Sequence, residues 1–392
     1  MFHRLALPPQ DPILQVMAAF AADPRGDKVD LGVGVYRDDS GITPVMRAVK
    51  TAEMRLVQTQ PTKAYTGMTG TVEFQRAFAG LVLGGVVQDD RLAVSATTGG
   101  SGAVRMIFDL IKRATPDATV WIPQPSWPMH VTMAQAAGLN WRPWRLFDAE
   151  NGALDRDAMF GDLAQIAAGD VVLLHGCCHN PTGVELAAQD WADIAALMDR
   201  TGAVPFVDIA YQGFGAGLDA DAGGLRHLAA RLPVVLVAAS AAKNFGLYRE
   251  RAGAAMVICD PAQRATVTGA MSAINRSTYG FPPDHGAQVV TTILNDPALR
   301  LDWQDELDTM RDRVLGLRRA LADALRAETG SDRFGCLADQ AGMFSILPLD
   351  DTALARLRQD HGVYLVGGGR MNVAGLRADT IPRVARALAQ VL

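Results

Sequence analysis

Cysteine is scarce: Cys177, Cys178, Cys259 and Cys336 are the four in a chain of 392 residues. They are too few and too scattered for a disulfide framework, which excludes the small cross-linked secreted class and points to a reducing compartment, the cytoplasm. Long apolar runs are absent as well, and no stretch approaches the roughly 18 residues that a membrane-crossing helix needs. The first residues carry no apolar core before Pro8 and Pro9, so no secretory signal is expected. Neither sign of charge dominates: a net charge of −5 gives no general affinity for nucleic acid or an anionic membrane. There is no internal repeat and no low-complexity tract. Two nucleotide fingerprints are missing. The glycine-rich stretch Thr98-Gly99-Gly100-Ser101-Gly102-Ala103 has Arg105 where a dinucleotide fingerprint needs its third small residue, and no Gly-Lys-Ser/Thr occurs for a Walker loop. What remains is ordinary globular composition, 49% hydrophobic and 20% charged, long enough for two domains or one large core with an appendage.

From residue 91 the pattern alternates. Strand candidates are 92–96, 118–122, 171–175, 204–207, 234–238 and 254–259. Helix candidates between them include 103–114, 127–137, 186–200 and 225–231. This predicts an α/β fold with a mostly parallel sheet, whose ligands sit at the carboxyl ends of the strands. Before it, Asp11 and Pro12 open a helix as cap and first-turn residue. The stretch 29–36 reads as a short strand or extended loop in which Gly32 and Gly34 permit close backbone approach. The stretch 45–58 is helical.

Several strand ends carry chemistry. Lys243 follows the apolar run 234–239, where desolvation makes an amine nucleophilic and able to bond an aldehyde. Ser240 offers a hydroxyl and Arg251 a fork for phosphate or carboxylate. A surface lysine after a core strand is the plainer reading of Lys243. The stretch from Thr98 opens a helix, so its backbone N–H groups suit a phosphate; a structural turn is the alternative. Trp127 either stacks on a flat ring or fills a gap. His175, Cys177, Cys178 and His179 invite a metal, but their spacing lacks the geometry of zinc sites. Asn180 sits in an Asn-Pro-Thr-Gly turn. Asp208 ends an apolar strand, where a carboxylate needs a cation such as a protonated pyridine, or else caps a helix. Lysine, hydroxyl and arginine together are what pyridoxal 5′-phosphate (PLP) requires.

These motifs resemble, over nearly the whole chain, the aspartate and aromatic amino acid aminotransferases, PLP enzymes of fold type I. The resemblance is carried by Leu31-Gly32-Val33-Gly34-Val35-Tyr36, Pro125-Ser126-Trp127-Pro128, the run from His175 to Gly183, Ala210-Tyr211-Gln212-Gly213-Phe214, Lys243-Asn244-Phe245-Gly246-Leu247-Tyr248 and Gly369-Arg370-Met371-Asn372-Val373-Ala374-Gly375. It implies a large PLP domain (45–310) with a mostly parallel central sheet. A smaller α+β domain (12–44 with 311–392), an N-terminal arm (1–11) and a long bridging helix over 311–325 complete the expected architecture. Lys243 would carry the PLP imine and shuttle the proton. Asp208, supported by His130, would keep the pyridine protonated. Asn180 and Tyr211 would bond the ring oxygen, and Trp127 would stack on the ring. Gly100, Ser101, Ser240 and Arg251 would hold the phosphate, joined by Tyr65 from the second subunit of a homodimer. Arg370, beside Gly34, would grip the substrate α-carboxylate. Arg276 would cross the interface to a distal carboxylate. No metal is implied. The implied activity is ping-pong transamination with 2-oxoglutarate as acceptor.

Departures from the family pattern shape the expected specificity. Ala242 and Ala64 replace common polar residues. Phe281 replaces a usual asparagine or serine near Arg276, and Ser101 replaces threonine, both leaning toward aromatic substrates; Val35 and Thr43 lean toward aspartate. Dual use of aromatic and dicarboxylic amino acids is therefore expected, with Arg276 swinging aside for rings. A strict aspartate enzyme, and another PLP reaction such as a β-lyase or decarboxylase, are the rivals. A PLP-domain regulator would need an attached module for which no residues are spare.

Overall fold

The computed structural model describes residues 1–7 and 12–392; the cap assigned to Asp11 and the end of the N-terminal arm lie outside the described residues. The six expected strands form, and a seventh joins them. They are β1 (Leu92–Thr98), β2 (Thr119–Gln124), β3 (Asn140–Arg145), β4 (Val171–His175), β5 (Val204–Ile209), β6 (Val235–Ser240) and β7 (Ala252–Ile258). Their order in the sheet is β1-β7-β6-β5-β4-β2-β3. β7 runs antiparallel to both neighbours, and every other pair is parallel. β3 escaped the pattern because it is an edge strand, Asn-Trp-Arg-Pro-Trp-Arg, with only Trp144 buried. Proline and arginine suit an edge that no further strand may join.

The central strands are buried on both faces, so they read as continuous apolar runs rather than as alternation. Alternate residues nonetheless divide between two cores. Val172, Leu174, Val207, Val235 and Val237 enter one; Val171, Leu173, Phe206, Leu236 and Ala238 enter the other. Parallel order aims the carboxyl ends of β4, β5 and β6 the same way, which places His175, Asp208 and Ser240 along one rim.

Two expectations are corrected. The glycine-rich stretch opens a helix as expected, but the helix starts four residues before 103: α1 (Gly99–Ala114) takes in the glycines themselves. Glycine disfavours helices, which hid the start. The packing demands it, since a Cβ on Gly253 would sit 2.5 Å from the Gly99 carbonyl carbon. The long helix is α2 (Pro297–Thr329), twice the expected length, with Asp296 capping its start and left-handed Gly330 ending it. Its first half packs Trp303, Leu307 and Val314 against the core under the sheet. Its second half packs Leu317, Leu321 and Leu325 into a third core with Val29, Leu31 and side chains from 334–388. Of 29–36, only Val29–Asp30 is strand, paired in parallel with Val363–Tyr364. No described helix is long and apolar enough to cross a membrane.

Candidate active site

A cavity of about 240 Å³ opens on the rim of the sheet. Its wall brings together Gly34, Gly100, Ser101, Trp127, Asn180, Asp208, Tyr211, Ser240, Lys243, Arg251 and Arg370, eleven of the thirteen residues expected of the site. Tyr65 and Arg276 are not among them. Both are exposed, and both meet Phe281 instead. The Tyr65 ring stacks on Phe281 at 4.7 Å, and the Arg276 guanidinium lies 6.0 Å from the same ring.

Lys243 sits in a turn just past β6. Burial pulls its ammonium below the ordinary lysine range; the Asp208 charge opposes this and Arg251 adds to it. Its Nζ lies 4.8 Å from the centre of the Tyr211 ring. The turn is held from below, where Trp303 Nε1 donates to the Asn244 carbonyl at 2.7 Å and its indole stacks on Phe245 at 4.3 Å. Burial likewise raises the Tyr211 phenol above its ordinary range, partly offset by the Arg370 charge.

Asp208 lies within β5, so it caps no helix. Burial works against its charge, but the hydrogen bond from His130, with the Lys243 ammonium nearby, lowers its pKa. His130 Nε2 meets Asp208 Oδ2 at 2.9 Å. Behind it the bonds run in one direction. The Asn180 backbone N–H donates to His175 Nδ1 at 3.3 Å, which leaves the His175 proton on Nε2. His175 Nε2 lies 3.3 Å from Ser126 Oγ, and Ser126 Oγ lies 2.8 Å from His130 Nδ1. With Nδ1 accepting, His130 carries its proton on Nε2 and donates it to the carboxylate. Burial takes the His175 pKa down to about 3, so that ring stays neutral. Ser126 and His175 were missed as site residues. The signal was present: His175 ends β4 as Asp208 nearly ends β5.

Opposite, Gly99 and Gly100 start α1 with backbone N–H groups that have no partner inside the helix. Gly99 has φ +69°, and a Cβ there would lie 2.7 Å from Arg251 Nη2; a Cβ on Gly100 would lie 2.9 Å from Ser240 Cβ. The glycines therefore let arginine and serine close on the helix start, forming a cradle for an anion. Arg251 itself adopts φ 54° and donates to the Tyr248 carbonyl at 3.0 Å. Arg370 donates to the Gly32 carbonyl at 2.9 Å, with its guanidinium 4.7 Å from the Phe344 ring centre. Gly34 is where the chain passes Phe344, since a Cβ would lie 2.9 Å from the ring. Phe344 also lines the cavity, a role its strand-like sequence did not reveal.

The metal reading of the histidine–cysteine run is not supported. Both His175 nitrogens are engaged, and His179 Nδ1 bonds Thr182 Oγ1 at 2.8 Å. Cys177, Cys178 and Asp221 do bring candidate ligand atoms within 4.8 Å of one another. The Asp221 carboxylate, however, already accepts from the backbone N–H groups of Gly213, Gly215 and Ala216.

A family model, aminotransferase class I and II, matches residues 26–388. This chain belongs to that family. The aminotransferase is 49% identical over 388 residues to an aromatic-amino-acid aminotransferase of Paracoccus denitrificans, covering 98% of each. It is 42% identical over 398 residues to an aspartate aminotransferase of Escherichia coli (strain K12), covering 100% of both. Among solved structures, an aromatic-amino-acid aminotransferase from Burkholderia pseudomallei, covalently bound to pyridoxal phosphate, superposes with a TM-score of 0.97 at 37% identity, covering 100% of this chain and 99% of that one.

The fold is thus that of the fold type I PLP enzymes, and PLP is the cofactor of the family. The residues present fit it. The buried Asn180 Oδ1 has no hydrogen-bond partner among the described residues although it belongs to the cavity wall. With PLP bound, Asn180 would offer an amide to a ring substituent, Asp208 a charge to a ring nitrogen, Trp127 an aromatic face, and the start of α1 a set of donors to a phosphate.

Proposed function

We propose that this aminotransferase moves amino groups from both aromatic and dicarboxylic amino acids to 2-oxoglutarate, in the cytoplasm, as a homodimer whose two sites are shared. The observation that carries the reading is one cavity holding a desolvated amine, Lys243, an ionised carboxylate, Asp208, and a guanidinium, Arg370. When bound, PLP supplies an aldehyde carbon to take the amino group and a ring that withdraws electrons from Cα. Lys243, whose Nζ would bond that carbon, is proposed to move the proton to and from Cα. Its lowered pKa favours the neutral amine that this needs. Asp208 would hold a proton on the ring nitrogen, and the His130, Ser126 and His175 chain keeps its carboxylate an acceptor. Arg370 orients the substrate by its α-carboxylate in a two-point grip. Asn180 and Tyr211 serve the ring oxygen. Gly100, Ser101, Ser240 and Arg251 serve the phosphate.

Tyr65 and Arg276 lie away from the cavity of their own chain, which supports assigning them to the second subunit's site. Phe281 supports the aromatic half of the range. A phenyl ring where Tyr65 and Arg276 meet makes the distal pocket less polar, so Arg276 can pair a carboxylate or stand aside for a ring. The division at 44/45 and 310/311 is proposed as the joint on which the smaller domain closes to exclude water; the change of core along α2 supports it.

The test is the absorbance of the holoenzyme on adding phenylalanine and then 2-oxoglutarate, followed by kcat/KM for phenylalanine and aspartate. A band that bleaches and returns, with comparable constants, is expected. A response to aspartate alone, with phenylalanine about a thousandfold lower or about 4 kcal/mol in barrier, makes it a strict aspartate enzyme. No band after reconstitution overturns the role of Lys243.

A further inference from the structure

Arg318 is a buried cation that the reaction does not touch. Its side chain leaves α2 with 0% exposure, and no carboxylate among the described residues hydrogen-bonds to it. Its donors go instead to a single segment. Nε donates to the Gly342 carbonyl at 3.1 Å, and Nη1 to the Leu337 carbonyl at 3.3 Å and Ser345 Oγ at 2.8 Å. Nη2 donates to the carbonyls of Ala341 at 3.1 Å, Gly342 at 2.8 Å and Phe344 at 2.6 Å. A guanidinium has a rigid fork of donors, and a buried one must satisfy them, so these carbonyls have one arrangement available.

The clamped segment touches the cavity from both sides. Its Ala341 N–H donates to the Gly183 carbonyl at 2.8 Å, in the turn that begins at Asn180. Phe344 and Ile346 pair with Asn372 and Arg370 on the strand Arg370–Asn372. Between these anchors the Phe344 ring stands edge-on to Tyr211 at 6.0 Å and 4.7 Å from the Arg370 guanidinium. The backbone is fixed from behind by Arg318, and the ring is thereby fixed against Arg370 in front.

We propose that Arg318 is a positioning residue for the substrate α-carboxylate: it locks the segment that sets the Phe344 ring, and the ring sets the guanidinium of Arg370. This rests on the reading of Arg370 as the carboxylate grip. A displaced grip misplaces Cα relative to Lys243, and a shift of that kind costs rate without touching the cofactor. The loss is therefore confined to substrates that carry the carboxylate.

The experiment compares two single-turnover rates of the holoenzyme. One uses the better amino-acid substrate of the wild type. The other uses the amine lacking only its α-carboxylate, phenethylamine for phenylalanine or β-alanine for aspartate. Arg318→Met is expected to lower the amino-acid rate by about 10- to 100-fold, with the amine rate and the cofactor spectrum unchanged. Arg318→Lys, which keeps charge and some donors, is expected to lose less. Phe344→Leu, which leaves the clamp in place, is expected to reproduce the selective loss, and it carries the test should Arg318→Met not fold. Rates for acid and amine that fall together, or that do not fall, overturn the proposal. Arg370→Lys separates the two ideas. If it discriminates acid from amine and the other variants do not, the positioning role alone fails. If it does not discriminate, the reading of Arg370 fails and takes the positioning role with it.

Discussion

At the residue scale, the site is governed by which groups are kept charged and which neutral. Asp208 stays ionised despite burial because His130 donates to it. His175 stays neutral because burial, above all, takes its pKa to about 3. That neutrality has a measurable cost in acid. In the unfolded chain His175 takes up its proton near the ordinary value of about 6.5, whereas in the folded protein it does so only near 3. Between those values the unfolded state binds the extra proton, so stability rises with pH through that window and is fully present above it. His179, also lowered chiefly by burial, acts in the same sense. Each histidine contributes about 1.4 kcal/mol per pH unit inside the window. His175→Gln is expected to flatten the fall in melting temperature between pH 6 and pH 4 (about one histidine's share). An unchanged slope would mean that His175 is not neutral in the fold.

At the element scale, the start of α1 is built for close approach. Gly99 adopts φ +69° and faces Arg251 at a distance a Cβ would not respect. Gly99→Ala adds about 1–2 kcal/mol of left-handed strain and pushes the guanidinium outward. Cofactor affinity is expected to drop about tenfold or more, read by titrating the apoenzyme with PLP, with the circular dichroism unchanged. An affinity equal to that of the wild type would remove Arg251 from the cradle. The same element shows where a sequence pattern fails. Helix periodicity became visible only from Ala103, because the four residues before it include three glycines. Glycine's propensity runs against a helix, and what holds the start of α1 in place is its packing on β6 and β7.

At the scale of the whole molecule, the exposed Tyr65 and Arg276 and the half-buried Phe281 lie away from the cavity, and on the proposed reading a second copy brings them to it. If sites are shared, subunits inactivated in different halves complement one another. Mixing Lys243→Ala subunits with Arg276→Ala subunits is expected to restore dicarboxylate activity to about a quarter of wild type: half the dimers are hybrids, each with one intact site of two. No recovery, with hybrid dimers verified by mass, would return Arg276 to its own chain.

The chain by itself determined the chemistry at the strand ends. Apolar runs are local, and a lysine, an aspartate and an asparagine following them are legible because buried parallel strands end where ligands bind. It determined the cofactor class and the family for the same reason, since those motifs are short and contiguous. Tertiary structure alone decided the rest. That Ser126 and His175 stand behind Asp208 depends on β4 lying beside β5 and on the turn after β2, a matter of strand order rather than of pattern. That Arg318 grips the segment bearing Phe344 depends on where one helix crosses from one core to the next. Hydrogen bonds between residues far apart in sequence leave no periodic mark on it, because their partners are chosen by packing and not by neighbours along the chain.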